Sequence, residues 1–260
     1  MFRRARIDDL IASYPRCRPP LSAAHRESYI EHYRGNRSGE RGLSKTVLKL
    51  EAWMHRRVAE GVSGSILELG AGNLNHVPYH PEASVYDIVE PFRELWLDSA
   101  NRGSVRSIYQ DLSHVPRTER YDCILSIAVL EHLTELPYIL GSAAQLLSTN
   151  GSFRAGFPSE GGILWGLAWR LTTGIEYRLR RRLDYGAIMR HEHINTGAEV
   201  EALVSHLYES VEVSRFPLRG RHFSFYTVVV ARRPRLDRCS ALCEDASRTR
   251  GRPVERAVSL

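Results

Sequence analysis

Cysteine is scarce in this chain. The 260 residues hold four: Cys17, Cys123, Cys239 and Cys243. Scattered in this way, they supply neither a disulfide framework nor the four ligands of a closed zinc site. No metal is expected, and a reducing cytoplasm is the expected setting. Lysine is scarcer still. Lys45 and Lys49 are the only two, so the formal charge of +6 rests on arginine. A cluster of that charge would suit a polyanion. The arginines are instead spread along the chain, which reads as a composition bias, and no nucleic-acid partner is expected. Long apolar runs are missing too. The longest, near residues 161–169, is about half of what a bilayer span takes. The opening "MFRRARIDDLIASY" is basic but lacks the apolar core and cleavage site of a secretory signal.

What remains is an ordinary globular composition, 43% apolar and 25% charged. A chain of this length can bury the core of one large α/β domain with additions. Residues 1–60 read as a helical extension, expected to act as a lid. "RPP" (18–20) and "RGNRSGERG" (34–42) break it, and "HRESYIEHY" lies between them as a short helix. In Leu43–Glu60, Val47, Leu50, Met54 and Val58 recur at helical spacing, with Ser44 as the expected cap.

From residue 61 strands and helices alternate. "SILELG", "SVYDIVE", "VRSIYQD", "YDCILSIAV" and "SFRAGF" read as five strands. "PFRELWLDSANRG" and "ELPYILGSAAQLLSTNG" read as helices between them. That rhythm predicts a doubly wound, mostly parallel sheet covered on both faces. Residues 158–196 interrupt it as an insert after strand 5. "TGAEVEALVSHLY" then reads as a helix capped by Thr196. "SVEVSRFPL" and "FSFYTVVVARR" follow without a helix between them, which predicts an antiparallel hairpin at the sheet edge. The domain is expected to close at residue 233, and 234–260 to be a poorly ordered tail.

Each of the first four strands ends on a polar residue or glycine. Gly70-Ala71-Gly72 follows the first, where absent side chains let a ligand reach the backbone. Glu90 ends the second, where a carboxylate meets ribose hydroxyls in doubly wound sheets. Asp111 ends the third, and Glu131 and His132 follow the fourth. The dinucleotide fingerprint is incomplete, because Asn75 stands at its third glycine. Pro78 and Pro81 also argue against a regular helix there. A pyrophosphate needs that helix start. A cationic adenosine ligand needs it less and suits two acids better.

On these residues the chain resembles the class I S-adenosylmethionine-dependent methyltransferases. The resemblance rests on "ELGAGN" (68–73), "DIVEP" (87–91), "YQDL" (109–112), "YDCILSIAVLEHL" (121–133) and "LLSTNGSFRAGFP" (146–158). It implies a Rossmann-like, seven-stranded sheet whose last strand is antiparallel, and S-adenosyl-L-methionine as cofactor. By the same resemblance Glu68 and the Gly70–Ala71–Gly72 backbone face the methionine part. Glu90 meets the ribose, Asp111 and Leu112 the adenine, and Ser126 and Ile127 line the cofactor. The sequence departs from the family at "NLNHVPYHPEA", where the first helix usually runs.

The acceptor is less constrained. No Asn/Asp-Pro-Pro-Tyr tetrad follows strand 4, and no Pro-Cys pair is present, so the base-amine and pyrimidine chemistries lack their residues. "SIAVLEHL" instead resembles small-molecule methyltransferases, including quinone-pathway O-methyltransferases, and His132 is a candidate base. Trp165 and Trp169, four apart beside Leu164 and Leu167, read as an apolar helix face. It is either ordinary core or a cover for an apolar or membrane-associated acceptor. In "MRHEHIN", His191 and His193 would point the same way if extended, and the segment reads as a base with its orienting acid or as two metal ligands, a weak metal signal by themselves. "SEGG-LW" and "HEH-N" resemble stretches in methyltransferases of polysaccharide and glycolipid synthesis. The expected activity is methyl transfer, most simply to oxygen, on a small-molecule, glycan or lipid-linked acceptor, with peripheral membrane contact allowed; the alternatives are a nucleic-acid methyltransferase, which the basic charge would suit, and a non-catalytic binding module of the same fold.

Overall fold

The computed structural model describes residues 7–29 and 45–250, without the side chains of 45–50, 172–173 and 245–250. The Ser44 cap, the 34–42 loop, the end of the 25–33 helix and the last ten residues lie outside the described residues.

Three helices come first: α1 (Ile7–Ala12), α2 (23–29) and α3 (Lys45–Ala59). The sheet begins with β1 (Gly64–Leu69) and β2 (Ala83–Val89). Helix α4 (Arg93–Trp96), β3 (Ile108–Tyr109), β4 (Tyr121–Ile127) and α5 (Leu136–Ala144) follow. Next come β5 (Leu147–Pro158) and, in the insert, α6 (Ile163–Trp169), a π turn (Arg170–Gly174), α7 (Ile175–Arg181) and α8 (Tyr185–Glu192). The chain then forms α9 (Gly197–Leu207), β6 (Tyr208–Pro217), β7 (Ser224–Pro234) and α10 (Leu236–Arg250).

The seven strands lie in the order β3-β2-β1-β4-β5-β7-β6. β3 through β5 are parallel, and β7 runs antiparallel to β5 and β6. The predicted sheet and its edge hairpin are therefore present. Thr196 caps α9 as expected, and Glu199 completes a capping box with it.

Three elements differ from the sequence reading. The helix predicted over 91–103 is confined to α4. Beyond it, the Ser99 hydroxyl donates to Asn73 O (2.8 Å) and the Asn101 amide to Leu74 O (3.1 Å), so the chain is drawn into turns against the β1–β2 connection. The helix predicted to reach Gly151 stops at Ala144. Leu147 already pairs with Tyr121, and the segment before Ser152 bulges from the ladder. Within the tail expected to be unordered, Leu236–Arg250 forms helix α10. Its Cys239 and Leu242 are buried against α5, where a Cβ built on Gly141 would stand 3.0 Å from Cys239 O. Arg235 precedes it and donates to the last carbonyls of α9, Ser205 O (3.0 Å) and His206 O (3.1 Å).

Each face of the sheet carries a core. On one face Leu67, Leu69, Ile124, Phe153 and Val229 meet α5, α9 and α10. On the other Ile66, Ile88, Leu125 and Val228 meet α3 through Met54 and Val58. The buried guanidinium of Arg154 donates to Val58 O (3.0 Å) and Glu60 O (2.5 Å), which ties the C-terminal end of α3 to β5. At Gly156 a Cβ would stand 2.5 Å from Met54 Cγ. Gly156→Val should therefore push α3 off the sheet and cost about 1–3 kcal/mol. Urea unfolding reads this as a lower midpoint at unchanged slope.

Candidate functional site

Neighbouring strands β1 and β4 lead the chain to opposite sides of the sheet. That switch opens a crevice beyond their carboxyl ends. Gly70 (φ +71°) and Gly72 (φ +50°) form the turn there. Gly70 donates to Val89 O (2.8 Å), and a Cβ on it would stand 2.5 Å from Val129 Cγ2. A side chain at Gly70 is thus excluded by space as well as by its dihedral. Glu90 is 4% exposed and joins two loops. Its Oε2 accepts from the Gly72 amide (2.8 Å) and its Oε1 from the Phe92 amide (3.0 Å). A carboxylate offers about four acceptor sites, so roughly two are left for a ligand.

Glu68 is buried on the α3 side and accepts from the Tyr86 hydroxyl (2.8 Å). Burial raises its carboxyl to about 7; the Tyr86 bond opposes this and the Glu90 charge adds to it. Asp111 accepts from the Ser113 amide (2.8 Å) at a short helical turn that begins with buried Leu112. Ser126 pairs with Leu69 across β1 and β4, beside half-buried Ile127. The Ser126 hydroxyl is buried without a hydrogen-bond partner. Buried polar atoms are nearly always paired, so this one marks a place for a ligand or water.

The connection from Asn73 to Pro81 holds one short 3₁₀ turn, Val77–Tyr79, in place of a long helix. It is anchored by a row of imidazoles: His55 Nδ1 to His76 Nδ1 (2.9 Å), then His76 Nε2 to His80 Nε2 (2.9 Å). His76 uses both nitrogens, one as donor and one as acceptor, and so is neutral. Burial, then the charges of His80 and His55, hold it down to about 2. His76 and His80 therefore knit the loop to α3.

A second cluster joins the turn after β4 to the insert. The His132 Nδ1 meets Glu192 O (2.9 Å); a carbonyl only accepts, so Nδ1 carries the proton and Nε2 is the basic atom. That Nε2 is 3.7 Å from Glu131 Oε1. His193 sits edge-on to His132, with ring centroids 4.8 Å apart. Its Nδ1 donates to Glu160 Oε1 (2.5 Å), which also accepts from Trp165 Nε1 (2.6 Å). Glu131 is buried, its Oε2 has no partner, and burial raises its pKa.

The sequence reading of "HEH" is corrected in part. The segment is not extended, because Asp184 caps α8 by accepting from the Gly186 amide (2.9 Å) and the helix runs to Glu192. His191 turns instead toward the N-terminal segment, donating to Pro19 O (2.7 Å) beside Tyr29. His132 and His193 are brought together; His191 is not part of their group. Glu160 and Glu131 complete the cluster without having been singled out as site residues. Glu160 lies 33 residues before His193, and only the "SEGG" turn at the end of β5 hinted at it.

A strap from the N-terminal segment holds this arrangement. Asn195 is buried, donates to Leu130 O (2.8 Å) and Leu133 O (2.8 Å), and accepts from the Tyr14 hydroxyl (2.7 Å). Arg16 pairs with Glu199 (2.6 Å), and Arg18 donates to His132 O (3.0 Å). Among the described residues no group of three or more His, Cys, Asp or Glu is arranged to hold a metal ion.

No protein-family model matches the chain, and no curated protein matches it by sequence. Solved structures resemble it in fold. The DhpI–SAH complex is 14% identical, with 83% of this chain and 100% of that chain covered at a TM-score of 0.52. The plantazolicin methyltransferase BpumL, with a monoazolic desmethylPZN analog and SAH, is 14% identical over 87% of this chain and 97% of its own, at 0.54. The N-methyltransferase NodS from Bradyrhizobium japonicum WM9, with S-adenosyl-L-homocysteine, is 14% identical over 72% and 86%, at 0.50. The chain thus has the fold of methyltransferases crystallised with this cofactor product.

His193 provides a test of the cluster. Burial opposes its charged form, but the Glu160 bond and the charges of Glu131, Glu160 and Glu192 outweigh this and raise its pKa above 6.5. Its stabilisation is then complete below the unfolded value and is lost as pH rises through the folded one. The imidazole NMR titration of His193 should have a midpoint above that of free histidine. Glu160→Gln should lower it and reduce the stability gained on the acid side.

Proposed function

We propose that the chain transfers a methyl group from S-adenosylmethionine to a small-molecule, sugar or lipid-linked acceptor, most directly to a hydroxyl. The observation that carries this reading is the strand edge itself. A glycine turn, a buried bridging carboxylate and an acid just after β3 follow neighbouring strands at the switch point, and a histidine cluster joins the turn after β4 to the insert.

The residues fit the cofactor. Gly72 leaves the backbone open, with nothing within 4 Å of a Cβ built there, and Glu90 retains acceptor capacity for ribose hydroxyls. Asp111 and the Leu112 amide stand where an adenine edge would be met. The unpartnered Ser126 hydroxyl and Glu131 Oε2 have bonds still to make. The raised Glu68 carboxyl would ionise beside a cation, which matches a ligand bearing an ammonium and a sulfonium. Bound S-adenosylmethionine supplies a methyl group on a sulfonium, so the protein's main task is alignment. His132 Nε2 is free to take the acceptor's hydroxyl proton as oxygen attacks the methyl carbon. His193, fixed by Glu160, would orient His132 and the acceptor. His191 has no role in this scheme.

Glu90→Ala should weaken binding of S-adenosylhomocysteine at least about tenfold by calorimetry, the loss of roughly one charge-assisted bond. Unchanged affinity would remove the ribose assignment. His132→Ala should leave that affinity intact and lower turnover about 10²–10⁴-fold, the usual worth of a general base. His191→Ala should keep turnover. Glu68 makes a further prediction. Near pH 6.5, below its raised pKa of about 7, binding of S-adenosylmethionine should release more protons than binding of S-adenosylhomocysteine. Calorimetry in buffers of different ionisation enthalpy reads the difference, and Glu68→Gln should abolish it.

A further inference from the structure

The insert contains a helical run from α6 through the π turn to α7 whose two sides differ sharply. Inward, Trp165 packs on Tyr226 at 5.9 Å and Trp169 on Tyr185 at 6.0 Å. Buried Tyr177 donates to the Ser28 hydroxyl at 2.5 Å. Outward stand Ile163, Leu167, Leu171, Ile175 and Leu179, each 47–76% exposed. The expected apolar face of the insert therefore divides: the tryptophans face the protein, while Leu167 faces solvent.

These five residues are spaced four apart. In a straight α-helix each such step drifts about 40° round the axis, so five of them would wind well away from one line. The π turn falls in the middle of the run and winds more residues into one turn. It rotates the second half back, and the five side chains keep one stripe. Leu218 and Phe223, on the β6–β7 loop beside α6, are exposed as well. Isolated exposed leucines are ordinary, but a continuous row is not.

The charges around the stripe are of one sign. Residues 163–182 hold five arginines, Arg170, Arg178, Arg180, Arg181 and Arg182, against the single acid Glu176. All five arginines are exposed, and Glu176 is already paired with Arg180 at 3.0 Å. Arginine recurs on the adjoining loop as Arg219 and Arg221. An apolar stripe flanked by arginines is the pattern of a helix that lies in a bilayer interface and favours anionic lipid. Among the described residues no helix is long and apolar enough to cross a membrane, so the contact would be peripheral.

We propose that the α6–α7 stripe, with Leu218 and Phe223, seats the protein on an anionic lipid surface. The inference stands apart from the methyl-transfer reading, since it uses none of the strand-edge residues. It gives the inner side of the same helices a second consequence. Trp165 holds Glu160, so the helix that rests on lipid also carries the hydrogen bond to His193.

The test is co-sedimentation of the full chain with phosphatidylcholine–phosphatidylglycerol vesicles and with pure phosphatidylcholine vesicles. The protein should pellet with the mixed vesicles, less so in pure phosphatidylcholine, and less at high salt. Leu171→Glu with Leu179→Glu should weaken binding at least about tenfold while the circular dichroism spectrum and melting temperature stay unchanged, because both side chains are exposed. Arg178→Gln with Arg182→Gln should remove the preference for anionic lipid. Three results would overturn the proposal: no binding to either vesicle, binding indifferent to the leucine substitutions, or a dimer that those substitutions dissolve in a protein that ignores vesicles.

Discussion

Gly70 passes so close beneath Val129 that no side chain fits between them. This contact brings the loops after β1 and β4 together where the sheet changes direction. Glu90 then adds the loop after β2 by accepting from both Gly72 and Phe92. Three strand ends are thereby fixed to one another before any ligand arrives. Preorganisation of this kind is what a displacement reaction asks of a protein, because alignment supplies most of the acceleration. Under the proposed function the same three loops meet the methionine, the ribose and the acceptor.

The other side of the crevice is held by longer reaches of chain. Asn195 satisfies Leu130 and Leu133 from the start of α9, and Tyr14 and Arg16 lock Asn195 from the N-terminal segment. The loop after β4 is thus tied to Asn195, and Asn195 in turn to Tyr14, 181 positions away along the chain. Tyr14 also packs against the core and Arg18 holds the His132 carbonyl, so residues 14–18 of the N-terminal segment brace the loop that carries the candidate base.

Much of this was legible in the sequence. The alternation of strands and helices gave the parallel sheet, and the helix-free join of residues 210–233 gave the hairpin. Glu68 is near the end of β1, and Gly70, Gly72, Glu90 and Asp111 follow their strands within three residues, so their place at one edge can be read locally. Other features could not be read in that way. "LLSTNG" is a short apolar run before a turn signal, equally suited to a helix end or a strand start, and pairing of Leu147 with Tyr121 decides it. Helix α10 shows a weak pattern because it needs only Cys239 and Leu242 to bury its face against Gly141. The prolines at 78 and 81 correctly ruled out a regular helix, but the imidazole row from His55 through His76 to His80 depends on α3 crossing the loop. Glu160 likewise acquires its meaning only when the insert folds back and sets it beside His193.

The central claim is that the strand edge is an adenosyl site built around Glu90. A crystal structure of the full chain grown with S-adenosylhomocysteine tests it most directly. The account predicts the ribose hydroxyls on the Glu90 carboxylate, the adenine beside Asp111 and Leu112, and the sulfur facing His132. A ligand seated elsewhere, or a strand edge left empty at saturating ligand, would contradict it.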